Sequence, residues 1–318
     1  MNERDALRRL AADLPHAGDD AAVVDGTVIT TDMLHERTDF PPGTTRYTAG
    51  WRAVGASLSD VAAMGADATA AVAVYADETF DPDALDAFVS GAVDDCAAVD
   101  AEYVGGDLDT HAEFTTATTA IGSVTEAGTV PRSGARPGDL LCVTGEWGRS
   151  AAALRLFERP DTDASADSDV DRANDLFRFT PRVADGLALS GRATAMMDSS
   201  DGLARSLHQL AEASTVGFTL ERDRLPVHPA VDDVAGGPSD RFALAATFGE
   251  DFELVCTLPP ETFETAREAC PAGLTRVGRV VDDDGRDGDG DDADASGGGD
   301  PPVTVDGEPL PDEGYTHG

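Results

Sequence analysis

Residues 132–144 read Arg-Ser-Gly-Ala-Arg-Pro-Gly-Asp-Leu-Leu-Cys-Val-Thr, and this stretch divides the chain. Gly134, Pro137, Gly138 and Asp139 give it the turn density of a domain junction, and the apolar run ending at Thr144 opens a fresh strand, helix and strand succession. We place the boundary near Gly138, giving units 1–138 and 139–318. A chain of 318 residues is long enough for two such domains, each with its own core.

Upstream of the junction, Asp5 to Leu14 has helical spacing, and Ala21 to Val24 and Thr27 to Thr31 read as short strands. Arg52 to Met64 is an alanine-rich helix, Ala70 to Tyr75 a strand and Pro82 to Val99 a long helix. Glu102 to Val104 reads as a short strand and Thr115 to Val124 as a further one. Downstream, Phe252 to Thr257 has the apolar content of a buried strand. Long helices mixed with strands indicate an α/β protein of the α+β type. Two segments look dispensable: Asp161 to Asp171, and the run 282–302, which is almost entirely Asp, Gly, Ser and Ala. Asp287, Asp289 and Asp291 alternate there as in a calcium loop. The twelfth-position glutamate and flanking helices of such a loop are missing, so the run is expected to be a disordered acidic surface loop.

The charge balance narrows the function. Acidic residues number 61 and basic ones 23, a net charge of −38, and every basic residue is arginine because the chain has no lysine. Such a surface repels nucleic acid and anionic membranes. Disorder is excluded by the strand-like runs, so we read the acidity as adaptation to concentrated salt, where screening removes most self-repulsion. Cys96, Cys142, Cys256 and Cys270 are far apart in sequence and form no Cys-x-x-Cys pair, which points to buried thiols rather than a disulfide framework or zinc site. Met1-Asn2-Glu3-Arg4-Asp5 is no signal core, and no run reaches the ~18 apolar residues of a membrane span. A soluble cytoplasmic protein is the expectation.

Seven aspartates stand at the edges of apolar elements: Asp19, Asp20, Asp32, Asp60, Asp107, Asp198 and Asp201. Each alone suits a helix cap or a turn. Together they suit Mg²⁺, which takes oxygen ligands and is held by a few carboxylates plus substrate phosphates, with several ions on one polyphosphate. Thr30 and Thr31 add neutral oxygens beside Asp32, and Gly105-Gly106 would let backbone approach a phosphate. A Walker A loop requires lysine and is excluded; the protein-kinase motifs are absent as well.

The series Gly18-Asp19-Asp20-Ala21-Ala22, Thr31-Asp32-Met33-Leu34, Leu58-Ser59-Asp60-Val61-Ala62-Ala63-Met64-Gly65-Ala66, Gly105-Gly106-Asp107, Arg132 to Asp139, Met197-Asp198-Ser199-Ser200-Asp201-Gly202-Leu203 and Gly249-Glu250-Asp251-Phe252-Glu253-Leu254 spans nearly the whole chain. In content and order it resembles the thiamine-monophosphate kinase family, within the aminoimidazole-ribonucleotide-synthetase-like superfamily. The resemblance implies a two-domain fold, an N-terminal domain that dimerises through its sheet, and a C-terminal α/β sandwich. It implies ATP and several Mg²⁺ ions bound between the domains and thiamine monophosphate as acceptor. By motif position, Asp20, Thr30, Thr31, Asp32, Asp60, Asp107, Asp198 and Asp201 would be metal ligands, with Asp60, Asp107 and Asp201 at the reacting centre. Gly106, Asp107, Arg132 and Ser200 would contact ATP, and Glu250 and Tyr315 the thiamine side. Where many family members have a histidine shortly after the Thr-Asp motif, this chain has Asp39, which either faces the cationic thiazolium or closes a turn before Pro41-Pro42. The alternatives are another ATP-using member of the superfamily, such as aminoimidazole ribonucleotide synthetase, and a non-catalytic acidic protein that binds cations.

Overall fold

The computed structural model describes residues 9, 14, 16–159, 166–283 and 302–314. Most of the expected helix from Asp5 to Leu14, most of the run 282–302, and Tyr315 lie outside them.

The first half builds one sheet. Its strands are β1 (Ala22–Val24), β2 (Thr27–His35), β3 (Asp67–Asp77), β4 (Glu102–Thr110) and β5 (Thr115–Ser123), laid side by side in the order β1-β2-β5-β3-β4. Two helices, α1 (Arg46–Ala63) and α2 (Pro82–Ala98), cover one face of it. Thr45 caps α1 by accepting from the amide of Thr48, and Asp81 caps α2 through Asp83 and Ala84, with Pro82 in the first turn. The structure starts α1 at Arg46, six residues before the expected Arg52. Gly50, inside that extension, is required by packing: a Cβ there would lie 2.0 Å from the carbonyl oxygen of Phe88 on α2. Even-numbered residues of β2 face the helices and odd-numbered ones face away, the two-residue period of a strand. The outer face of the sheet is left apolar and open, with Ile29, Met33, Val72, Val74, Val104 and Leu108 all exposed.

β4 departs most from expectation. It runs on through Gly105-Gly106-Asp107 instead of stopping at Val104. The register against β3 slips by one residue, Ala71 facing Tyr103 and Val72 facing Gly105, so Val104 bulges. Gly105 carries the bulge at φ +134, and a Cβ on Gly106 would sit 1.7 Å from the carbonyl oxygen of Ala73. The glycine pair is thus needed inside a strand, rather than following one that stops at Val104.

The second half contributes β6 (Leu140–Thr144), β7 (Ala195–Asp198), β8 (Gly217–Leu220), β9 (Leu254–Leu258), β10 (Leu274–Val281), β11 (Val303–Val305) and β12 (Glu308–Pro309). Among the described residues they form one sheet in the order β12-β11-β8-β10-β6-β9-β7, antiparallel apart from the β11–β8 pair. Around it lie α3 (Arg149–Phe157), α4 (Ala166–Phe177), α5 (Val183–Leu189), α6 (Leu203–Ser214), α7 (Pro238–Ala246) and α8 (Phe263–Ala269). Part of the stretch 161–171 set aside as dispensable belongs to α4. Ala173 and Phe177 on that helix are buried, and the helix packs on α3.

One core joins the two halves. Val54, Leu58 and Val61 of α1 share an apolar cluster with Cys142, Met196, Leu254 and Cys256 of the second sheet. This packing sets the last turns of α1 against β7, and the two elements carry Asp60 and Asp198. All four cysteines are free and buried, as their apolar surroundings in the sequence suggested.

Candidate functional site

Asp60 ends the polar sequence of α1, Asp198 ends β7, and Asp20 sits just before β1. One carboxylate oxygen from each lies within 4.8 Å of the other two. The Asp20 side chain is wholly buried and Asp198 is 3% exposed, so this is no solvated acidic face. Each carboxylate is held by a hydroxyl or cation: Thr30 Oγ1 donates to Asp60 at 2.5 Å, Ser59 Oγ to Asp198 at 2.7 Å, and Arg132 donates to both oxygens of Asp20 at 2.9 and 3.1 Å. Asp32 stands beside them on β2 and accepts from Ser57 Oγ at 2.7 Å.

The electrostatics follow from this crowding. Burial first, then repulsion from Asp32, Asp198 and Asp20, raises the Asp60 pKa well above the usual carboxylate range; the Thr30 bond only partly opposes it. Asp198 is raised in the same way, by burial and then by Asp20. Burial works against the charge of Arg132, but Asp20, Asp198 and Asp60 more than offset it and raise its pKa. A set of oxygen-only donors this close, buried and short of positive charge is what a hard divalent cation would satisfy.

Other expected residues divide. Thr30 and Asp32 point to the helix side of the sheet with Asp60. Thr31 points to the opposite side, where its hydroxyl donates to the carbonyl of Thr118. Asp107 is exposed on β4 and accepts from its neighbour Leu108. The register aligns Asp32, Thr118, Ala73 and Gly106 in one row across the sheet. Three strand spacings of ~4.8 Å therefore separate Asp32 from Gly106 by about 14 Å. Within one chain, then, the Thr31 and Asp107 side chains are not brought to the carboxylate cluster. Ser200 and Asp201 lie in the turn that follows Asp198.

That turn meets the Gly249–Leu254 segment. The amide of Glu250 donates to the carbonyl of Ser200 at 2.6 Å and that of Phe252 to Ser199 at 3.1 Å. The three acids of the segment have different tasks. Asp251 accepts from the amides of Gly148 and Ser150 at 2.6 and 2.9 Å and so caps α3. Burial nevertheless pushes the Asp251 pKa up to about 7. Glu253 forms a two-point pair with Arg182 and accepts from Thr144. Glu250 lines a cavity of about 310 Å³ together with Asp39, Phe40, Phe157, Phe177 and Phe248. Asp39 has a structural task and a place at the cavity. Its carboxylate accepts from the His35 amide at 2.6 Å, closing the helical turn Glu36–Asp39, and the residue also walls the cavity. Tyr315 lies outside the described residues.

Several residues of the site were not picked out from the sequence. Ser57 and Ser59 aim Asp32 and Asp198, and the only hint was a Ser-x-Ser pair just before Asp60. Arg52, buried on α1, holds Glu250. An arginine in an Ala- and Gly-rich helix was the available signal.

Residues 18–124 match the family model of the AIR synthase related protein N-terminal domain, and residues 136–289 that of its C-terminal domain. The chain is 56% identical over 317 residues to the thiamine-monophosphate kinase of Halobacterium salinarum, covering 100% of both proteins. It is 35% identical to that of Methanospirillum hungatei, covering 100% of this chain and 99% of the relative. Among solved structures, it superimposes on the thiamine-monophosphate kinase of Stenotrophomonas maltophilia with a TM-score of 0.75 at 29% identity, covering 96% of each chain. It superimposes on AaThiL complexed with AMPPCP and TMP with a TM-score of 0.80 at 25% identity, covering 100% of this chain and 99% of that one.

Proposed function

Since the chain belongs to the thiamine-monophosphate kinase family, we propose that it transfers the γ-phosphoryl group of ATP in line to the phosphate of thiamine monophosphate, assisted by several Mg²⁺ ions. The observation that carries this reading is the buried meeting of Asp20, Asp60 and Asp198, in a chain without lysine. Phosphoryl transfer between two anions is catalysed chiefly by positioning and charge neutralisation. When bound, the ions would neutralise phosphate charge between donor and acceptor.

The chain's own residues do the rest. Asp20, Asp60 and Asp198, with Asp32 and Asp201 close by in the fold, would hold the ions; Thr30, Ser57 and Ser59 fix the directions of three of those carboxylates. Arg132 balances Asp20 and, 26% exposed, would contact ATP together with Ser200. Thr31 and Asp107 are left out of the metal-holding set that a single chain assembles, while Gly106 and Asp107 keep the ATP contact proposed for them. Glu250 and Asp39 present carboxylates to a cavity walled by phenylalanines, a setting that favours a flat cationic ring. No general base is required, because the attacking phosphate is already largely ionised near neutral pH.

We further propose two domains, 1–138 and 139–318, a cytoplasmic location, and a homodimer formed through the apolar outer face of the first sheet. No helix among the described residues is long and apolar enough to cross a membrane. A monomeric mass in sedimentation at molar KCl would remove the dimer. The activity is tested by following ADP release with ATP, Mg²⁺ and either thiamine monophosphate or free thiamine, with and without EDTA. Turnover is expected only with the phosphorylated acceptor and Mg²⁺; equal use of free thiamine would overturn the reading.

A further inference from the structure

We propose that Arg52 is a positioning residue for acceptor recognition: it fixes the carboxylate of Glu250 at the wall of the aromatic cavity and ties that cavity to the metal-holding helix. The inference rests on the kinase reading above and extends it to a residue that makes no substrate contact of its own.

Between Arg52 and Asp60, α1 carries only Ala, Val, Gly, Leu and Ser, so the arginine is a charge inserted into an apolar helix. Its side chain is 2% exposed. A guanidinium so buried persists only when its donors are met. Nη2 donates to Glu250 Oε2 at 2.5 Å, Nη1 donates to the carbonyl of Phe177 at 2.5 Å, and the plane stacks on the Phe177 ring with 3.6 Å from Cζ to the centroid. Edge and face are both occupied. The group has a single orientation.

Glu250 is held as firmly from the other side. Its backbone is left-handed at φ +63, a conformation that a non-glycine residue keeps only when its surroundings impose it. Here the carbonyl of Ser200 takes its amide, and Ser150 Oγ donates to its carbonyl at 2.6 Å. With the backbone pinned, Arg52 decides where the carboxylate points, and 13% of that side chain remains exposed on the cavity side. A structural ion pair alone would not need a strained backbone at the cavity wall.

The position on α1 adds the second half of the inference. Arg52 and Asp60 are eight residues apart on one helix, about 12 Å at 1.5 Å per residue. The acceptor carries a cationic ring at one end and the reacting phosphate at the other. One rigid helix thus sets both the carboxylate that meets the ring and the carboxylate beside the phosphate. Arginine suits this role better than lysine, because its fork bonds two oxygens while its face stacks.

The test is steady-state kinetics of full-length Arg52→Met, Arg52→Lys, Glu250→Gln and the double variant Arg52→Met/Glu250→Gln, with melting temperatures recorded alongside. For Arg52→Met, the KM for thiamine monophosphate is expected to rise about 10- to 100-fold, the effect of one lost charged hydrogen bond, with the KM for ATP within about threefold. Arg52→Lys should fall between the parent and Arg52→Met. The double variant should be no worse than the worse single one, since both act through one contact. A folded Arg52→Met with unchanged acceptor KM, an equal rise in the KM for ATP, or additive single effects would overturn the proposal. Where Arg52→Met does not fold, Arg52→Lys decides. A raised acceptor KM in it supports the proposal, and an unchanged one refutes it. Failure of the unmodified protein to turn over thiamine monophosphate would instead remove the kinase reading, and this inference with it.

Discussion

Replacing Asp60 with asparagine separates a ligand from a structural carboxylate at the centre of the site. The carboxamide keeps the size and can still accept the Thr30 hydrogen bond, so packing and that 2.5 Å contact survive while the charge is lost. In the metal-free protein, the nearest oxygens of Asp60 and its two partners lie within 4.8 Å. Two unit charges at that separation repel by about 3.5 kcal/mol at an effective dielectric of 20, and by more at any shorter one. The raised pKa of Asp60 means the repulsion is already relieved in part by protonation, so the gain is a fraction of the full repulsion. Because the folded pKa lies above the ordinary value of 3.8, its contribution to stability is complete below that value and is lost as pH rises through the raised one. Metal-free Asp60→Asn should therefore melt higher than the parent, with the difference widening as pH rises. With Mg²⁺ the order reverses in activity: turnover should fall by roughly two or more orders of magnitude, as for one lost transition-state electrostatic contact. Melting curves in EDTA at several pH values, set beside turnover at saturating Mg²⁺, give both readouts. Near-normal turnover in the folded variant, or a metal-free melting temperature below the parent at every pH, would refute the reasoning.

Three further outcomes are expected. Asp251→Asn removes a titration but keeps an acceptor for the α3 cap; since burial raises the Asp251 pKa to about 7, the parent should lose stability relative to the variant as pH climbs from about 4 through 7, and a pH-independent difference in melting temperature would contradict this. With a net charge of −38, the melting temperature should climb steeply between low salt and molar KCl, and a flat profile would show that self-repulsion does not limit the fold. Val281 and Val303 end and begin strands that flank β8, about two strand spacings or ~10 Å apart. Replacing 284–300 by a short Gly-Ser linker should then leave activity within a few fold, and loss of ATP-dependent turnover would assign the segment a role.

Much of the fold was legible because the apolar pattern and the punctuation agree. Asp81-Pro82 announces α2, and the run Leu140 to Thr144 is a strand at the point where the turn residues end. The errors have a common cause, which is that long-range packing overrode local signals. Gly50 lies within α1 because α2 approaches it closely, and Gly105-Gly106 lies within β4 because the strand bulges and closes on β3. Neither contact is encoded near the glycine that serves it. The pairing order is equally remote: β4 follows α2 in sequence and lands at the sheet edge, three strands from β2. Hence Asp107 and Asp32 look alike as motif aspartates and still stand far apart in one chain.

Part of the site could have been resolved further from the sequence, and Thr30-Thr31-Asp32 is the case. In a strand, successive side chains point to opposite faces, so three consecutive residues cannot all present side-chain oxygens to one point. Met33, next in line, is apolar and 58% exposed, on the same face as Thr31 and Ile29. That face is the open apolar one. Thr30 and Asp32 belong with Val28 and Leu34 on the face covered by α1. Alternation alone therefore assigns Thr30 and Asp32 to the Asp60 side and Thr31 to the other. Arg52 resists any such shortcut, because its partner Glu250 is 198 residues away and is aimed by a left-handed turn that no local pattern announces. The acidic half of the site was read from residue types that polyphosphate and metal chemistry demand. Its positioning half depends on which surfaces of two sheets meet, and that information resides in the packing of α1 against β7 and the 249–252 turn.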